Sequence, residues 1–237
     1  MHLSLTRVPE SLIEIHRRFF HSGFDLRLVG GPVRDLVRGS VPKDWDCCVD
    51  CPPETTMQIL EDGGYKPFDM SNGHGTITCH VDGIEYEITT LRIDVETDGR
   101  HAEVEWTNDF REDALRRDFT VNAMSMSLIN GWVYDYFDGV NDLETKTLRF
   151  VGEPSERIKE DYLRILRYFR FMGKLGFDKV HRPSYKAICQ LKSGLDHISG
   201  ERVWSEMQQI FCDPNHERLI HLMRESGVLR TLGLERQ

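Results

Sequence analysis

Between Gly30 and Asp50 the chain reads GGPVRDLVRGSVPKDWDCCVD, with two glycines and an arginine ahead of two aspartates one residue apart. On a β-strand, residues i and i+2 project from the same face. Asp44 and Asp46 are therefore expected to point together, with Trp45 on the other side. Two carboxylates that close repel unless a cation sits between them. Magnesium takes oxygen ligands and keeps positions open for substrate phosphates. The backbone N–H groups of Gly30 and Gly31 can approach a phosphate because no Cβ intrudes. Arg34 falls in the first turn of the next helix, whose N-terminus attracts anions. The pattern fits a metal site facing a bound phosphate. The plainer alternative is a tight turn followed by a strand end with exposed acids.

Two further stretches carry groups of the same kind. In FREDALRRDFTVNAMSMSL, residues 110–128, Arg117 can hold a phosphate and Asp118 can accept from a ribose hydroxyl. Asn122 follows Asp118 by four residues, one face of a helix. Taken by itself this stretch favours a solvated helix start with a charge pair. In ERIKEDYLRILRYFRF, residues 156–171, a period of about 100° per residue puts Tyr162, Ile165, Leu166 and Phe169 on one face. Glu160, Asp161, Arg164 and Arg167 fall opposite. An amphipathic helix with a wet face explains that. So does a reading face, because Arg donates to ring acceptors of a base and a carboxylate accepts from an exocyclic amine. Cytosine and adenine both carry such an amine.

The elements expected to position these groups alternate at first between strand and helix. A helix is predicted from Ser11 to near Gly23, then a strand over FDLRLVGG, a short helix closed by Gly39, and a strand over WDCCVD. A helix follows over PPETTMQILEDGG, and a hairpin turns at Asp82-Gly83. LRIDVETDGRHAEVEW is polar, with a turn at Asp98-Gly99, and reads as an exposed loop. From about Asp109 the period becomes helical and is expected to stay mostly so. The domains expected are 1–150 and 151–237.

Composition narrows the class. The 237 residues are 39% hydrophobic and 29% charged, the balance of a soluble globular protein. No apolar run reaches the roughly 18–20 residues of a membrane span. The first residues lack the layout of a secretory signal, so an intracellular protein is expected. A net charge of -9 excludes a uniformly basic surface but not a local basic patch for nucleic acid. Of the six cysteines, Cys48 and Cys51 form one C-x-x-C, but no second pair lies at useful spacing for zinc. Reduced thiols are expected.

Taken in order, GGPVRDLVRG with DWD, HGTIT, EITTLRIDVETDGRHAEVE, RRDFTVNAMS, DYFDG, RFVG, EDYLRILRYFRF and ISGERVW resemble the blocks of the class II tRNA nucleotidyltransferases, the CCA-adding enzymes, and most closely their animal form. The resemblance covers about residues 24–211 and is specific through the set of blocks rather than any single one. It implies an α+β fold: a polymerase beta-like nucleotidyltransferase head with a mixed or antiparallel sheet over 1–150, and an all-helical neck and partial body over 151–237. It implies addition of C, C and A to the tRNA 3′ end from CTP and ATP, without a nucleic-acid template and with Mg²⁺. By position it makes Asp44 and Asp46 the catalytic metal ligands. Gly31 and Arg34 become triphosphate binders, Arg117 and Asp118 serve the nucleotide phosphate and sugar, and Asp161 and Arg164 pair with the incoming base. Arg167 and Arg170 complete the site. Either Glu85 or Glu87 would supply a third carboxylate. A mitochondrial, cytoplasmic or nuclear location follows, with no membrane partner.

Two alternatives stand beside this. Gln237 comes well short of the family's usual length, so most of the helical body and the tail are expected to be missing, and with them parts that anchor tRNA. A non-catalytic RNA- or nucleotide-binding fragment fits that shortness. Within the same family, an A-adding or poly(A) polymerase variant is the other reading.

Overall fold

The computed structural model describes residues 1–69, 75–97 and 102–235. In chain order the elements are α1 (Glu10–His21), β1 (Leu26–Val29), α2 (Gly31–Val37), β2 (Trp45–Val49), α3 (Pro53–Asp62), β3 (Phe68–Asp69), β4 (Thr76–Val81), β5 (Ile84–Thr90), β6 (Arg92–Thr97), β7 (Ala102–Trp106) and α4 (Phe110–Leu115). There follow β8 (Met124–Ser127), β9 (Val133–Asp135), α5 (Gly139–Glu144), α6 (Pro154–Glu160), α7 (Arg164–Leu175), α8 (Arg182–Leu191), α9 (Gly200–Phe211), α10 (His216–Glu225) and α11 (Val228–Thr231). The architecture is α+β, a mixed sheet with helices followed by a helical half.

Contacts divide the chain into two units. The first is Met1–Val95 with Glu103–Arg117 and Val121–Val140. Its sheet runs β3-β4-β5-β2-β1-β8-β9. β2 and β5 are parallel, with Asp46 opposite Glu87, and the other pairings are antiparallel. The hairpin between β4 and β5 turns at Asp82 and Gly83, both at positive φ (53° and 78°), as an Asp-Gly turn requires. In α1, Leu12, Ile15 and Phe19 are fully buried, at the i, i+3, i+7 spacing of an amphipathic helix.

The second unit is Asn141–Gln237 with Glu96–Ala102 and Asp118–Thr120. Here α9 packs along α7 and α8 along α6. Phe119 sits at its centre, its ring 5.0 Å from that of Phe150 and 5.4 Å from that of Phe171, with Tyr168 stacked on Phe150 at 5.6 Å. Phe119 and Phe150 also pair through a backbone bridge, fixing Asp118 beside Val151 by a 3.0 Å hydrogen bond.

Three expectations need correction. The stretch read as an exposed loop forms a two-stranded ribbon, β6 with β7. Ile93 and Val95, then Ala102, Val104 and Trp106, alternate with polar residues, which is the strand period despite the polar composition. The turn expected at Asp98-Gly99 lies outside the described residues. The segment after Asp109 is not mostly helical at first: β8 and β9 join the sheet, and all four residues of β8 are buried. A strand between two neighbours loses its alternation, and methionine is a good helix former, so the sequence misleads there. The single helix expected over 156–171 is broken. Asp161 is extended (φ -154°, ψ 106°), and its side chain accepts from the Leu163 N–H at 3.1 Å, a local bond that competes with helix continuation.

Candidate active site

In the first unit, a cavity of about 390 Å³ is lined by Lys43, Asp44, Trp45, Asp46, Gly83, Ile84, Glu85 and Glu87. Asp46 stands on β2 and Asp44 just ahead of it, and both line the cavity, but so does Trp45, which the alternation expected on the other side; Cys47, the next residue, is buried in the sheet. Burial, and then repulsion from Asp44, push the Asp46 carboxyl above its ordinary range, against the pull of Arg117 and Arg34. Glu87 is pushed up likewise, by burial first and then by Asp46, Glu85 and Asp44. Among the described residues, no group of three or more His, Cys, Asp or Glu side chains is gathered to hold a metal ion. Asp44 and Asp46 nonetheless fit a hard divalent cation. They offer only carboxylate oxygens, and their mutual repulsion is the kind a cation relieves.

The glycine turn stands beside this group. Gly30 has φ 69° and ψ -123° and precedes the first turn of α2. A Cβ there would lie 2.6 Å from Nη1 of Arg117. The turn therefore needs glycine twice, for its backbone and for the guanidinium packed over it. Arg34 is only 3% exposed. It donates to Oδ1 of Asn122 at 2.6 Å and to Asp35 at 2.9 Å, and its guanidinium folds back toward Gly31. Replacing Gly30 by alanine is expected to cost roughly 1–3 kcal/mol of backbone strain and to displace Arg117. Thermal melts read the first effect. A raised KM for nucleotide, larger than that of a surface control, reads the second.

Arg117 is held by Asp113, which is buried within α4. Asp113 Oδ2 accepts from Arg117 at 3.1 Å, and Oδ1 accepts from Arg116 at 2.9 Å. Burial alone would push the Asp113 carboxyl up, but Arg117 and Arg116 hold it below the usual range. Cys48 touches both sides, its thiol 3.8 Å from Asp113 and its Sγ 3.7 Å from Arg117. Burial raises that thiol to about 12, so it stays protonated.

The other residues singled out by sequence lie in the second unit. Asp118 accepts from Arg167 at 2.6 and 2.9 Å and from the Phe119 N–H at 2.8 Å. The side chains of Asp161 and Arg164 take different partners, while the Arg164 N–H donates to the Asp161 carbonyl at 3.0 Å. Asp161 Oδ2 accepts from Arg202 at 2.8 Å, while Arg164 donates to Glu160 at 2.6 Å and to the Arg157 carbonyl at 2.9 Å. Arg170 donates to Glu206 at 2.5 Å and lies 4.6 Å over the Phe171 ring. Asp118, Glu206 and Asp161 all bear on the Arg167 charge, so these groups form one electrostatic cluster.

The structure thus gathers Gly31, Arg34, Asp44, Asp46 and Arg117 in the first unit, and Asp118, Asp161, Arg164, Arg167 and Arg170 in the second. Asn122 does not share a helix face with Asp118. It ends a 3-10 turn, Thr120–Asn122, and serves Arg34. Asp113, Arg202 and Glu206 were missed as partners. Asp113 stands at i−3 and i−4 from Arg116 and Arg117, so local spacing could have flagged it, whereas Glu206 meets Arg170 and Arg202 meets Asp161 from 36 and 41 residues away, which no local signal marks.

Residues 26–149 match the family model described as the poly A polymerase head domain, and residues 179–235 match one described as a probable RNA and SrmB-binding site of polymerase A. The chain is 44% identical over 229 residues to the mitochondrial CCA tRNA nucleotidyltransferase 1 of Homo sapiens, covering 95% of this chain and 52% of that protein. It is 36% identical over 227 residues to the CCA-adding enzyme of Bacillus pumilus, covering 94% and 55%. Among solved structures, the Bacillus stearothermophilus CCA-adding enzyme in complex with CTP superposes with a TM-score of 0.82 at 34% identity, over 92% of this chain and 52% of that one. The chain spans about half the length of the curated relatives it matches.

Proposed function

The chain belongs to the poly A polymerase head-domain family, and on that premise we propose that it adds C, C and A to the 3′ end of tRNA from CTP and ATP, releasing pyrophosphate. The observation that carries this reading is the paired carboxylate cleft of Asp44 and Asp46 beside a glycine turn overlaid by Arg117. The names of the relatives support the substrate: the human protein is a CCA tRNA nucleotidyltransferase, and the Bacillus stearothermophilus structure holds CTP. We assign residues 1–150 to the nucleotidyltransferase head and 151–237 to a helical neck and partial body that serve nucleotide and RNA. Three animal relatives are named as mitochondrial, and no described helix is long and apolar enough to cross a membrane. A mitochondrial or cytoplasmic site of action is the reading we favour.

Nucleotidyltransferases of this family are generally divalent-metal dependent, and Asp44 and Asp46 are the residues that would hold Mg²⁺. When bound, it supplies a lowered pKa for the tRNA 3′-hydroxyl and charge neutralisation for the departing pyrophosphate. The chain's own groups do the positioning. Gly31 offers its backbone at the start of α2, and Arg34, locked by Asn122 and Asp35, offers a fixed cation to the triphosphate. Arg117 adds a second. Asp118, held by Arg167 and the Phe119 N–H, accepts from the ribose. Asp161 accepts from the amine of cytosine or adenine, and Arg164 donates to a ring acceptor. Arg167 and Arg170 hold the nucleotide in place. Such catalysis rests mainly on orientation and charge stabilisation.

Base choice tests this division. With tRNA lacking its 3′ end, kcat/KM is measured for the four nucleoside triphosphates. The intact chain should prefer CTP and ATP to UTP and GTP. Asp161→Ala and Arg164→Ala should each lower that preference roughly 10- to 100-fold, since a good bidentate base contact is worth about 1–3 kcal/mol. Arg167→Ala should weaken all four alike. Unchanged preference in both Asp161→Ala and Arg164→Ala, with activity intact, would remove the base-reading role.

A further inference from the structure

We propose that Asp113, though it touches no substrate, is a positioning residue for the transfer reaction: a buried carboxylate that aims Arg117 over the glycine turn beside Asp46. This rests on the reading above, in which Arg117 serves the nucleotide phosphate. The geometry is specific. Asp113 is 1% exposed, and its carboxylate sits among Arg92, Arg116, Arg117 and Cys48. Oδ2 takes the Arg117 guanidinium at 3.1 Å and faces the Cys48 thiol at 3.8 Å. Oδ1 takes Arg116 at 2.9 Å and the Arg92 N–H at 3.4 Å. The far edge of the Arg117 guanidinium lies against Gly30, where no Cβ fits. The guanidinium is therefore clamped between a carboxylate on one side and bare backbone on the other. Free rotation of a long side chain is lost before substrate arrives, which is how a fixed cation gains over a flexible one.

The arrangement also explains why two arginines stand in sequence before Asp118. Arg116 neutralises part of the Asp113 charge on the side away from Arg117, as its separate oxygen shows. A buried carboxylate with two guanidiniums leaves a net positive charge on the cluster. If Asp113 becomes neutral the positive surplus grows, so what is lost is the position of Arg117.

The test is a double-mutant cycle on the full chain. Asp113→Asn keeps the size of the side chain and removes its charge. It should lower kcat/KM for CTP and ATP equally, by about 100-fold, mainly through KM. The inhibition constant of inorganic pyrophosphate should rise with it, while preference among the four nucleotides stays put. Leu60→Ala, a cavity in the same unit remote from these groups, serves as a control for lost Tm and should leave KM and pyrophosphate inhibition near wild type. Arg117→Met should lose at least as much as Asp113→Asn. The double variant Asp113→Asn/Arg117→Met removes both charges together, so it is the variant to rely on if Asp113→Asn alone fails to fold, and its kcat/KM should match that of Arg117→Met within about twofold. A double variant that loses the product of the two single effects overturns the proposal. So does an Asp113→Asn enzyme whose KM and pyrophosphate inhibition match those of Leu60→Ala. The underlying site assignment fails separately, through full turnover in Asp46→Asn.

Discussion

Asp46→Asn is expected to abolish addition of both CTP and ATP, by about 10³-fold or more, and to leave the chain at least as stable as wild type. The two halves of that result have one cause. The carboxylate is placed where its charge is unwelcome in the protein alone: burial disfavours it and Asp44 repels it. A group of that kind is retained for what it does with a cation and phosphates rather than for packing. The sign of the pH effect follows. The folded-state pKa is raised, so the folded chain holds the proton more tightly than the unfolded one. Stability from this group is fully present below the unfolded carboxylate range and is lost as pH rises through the raised folded value. Asn carries no such titration, so melts taken across that window should show a shallower decline for the variant. Identical slopes together with normal turnover would remove Asp46 from the site.

Phe119→Ala should be the most damaging single change to the fold of the second unit. The ring is fully buried and meets Phe150, Tyr168 and Phe171 at centroid distances of 5.0, 6.2 and 5.4 Å. Truncating such an aromatic to alanine costs about 3–5 kcal/mol. For a chain of this length that is a Tm drop of roughly 6–20 °C. The damage reaches the site through the backbone, because Phe119 follows Asp118 and its N–H is held by the Asp118 carboxylate. Loosening the ring frees Asp118 and, with it, the Arg167 pair. Phe119→Leu keeps most of the volume and should lose far less in both Tm and kcat/KM. Thermal melts and kinetics on the same preparations check this, and a Phe119→Ala protein melting within 2 °C or so of wild type would place the unit's core elsewhere.

The sequence made the first unit legible wherever a short-range rule governs the backbone. Asp82-Gly83 dictates its own turn, and the two acids of D-x-D share a face on any strand. Gly30 was readable as a turn but not as the seat of Arg117, because that contact joins residues 87 positions apart in sequence and carries no local signal. β8 was invisible for a related reason: a strand paired on both sides by β1 and β9 needs no polar face. In the second unit, the amphipathic pattern read over 156–171 caught the start of α7, while the break at Asp161 did not register. The periodicity runs smoothly through it, and only the Asp161 side chain bonding to its own backbone shows why the helix stops. The pairing of Asp161 with Arg202 is likewise tertiary, joining two stretches that the sequence presents 41 residues apart.

The most direct test of nucleotide addition uses the intact chain, Mg²⁺ and tRNA that ends before its CCA. CTP alone should extend that tRNA by two residues, ATP alone by none, and the two together by three, ending in CCA, with Asp46→Asn inactive under every condition. A folded chain that extends nothing, or one that builds a run of A from ATP alone on any RNA, would contradict the assignment.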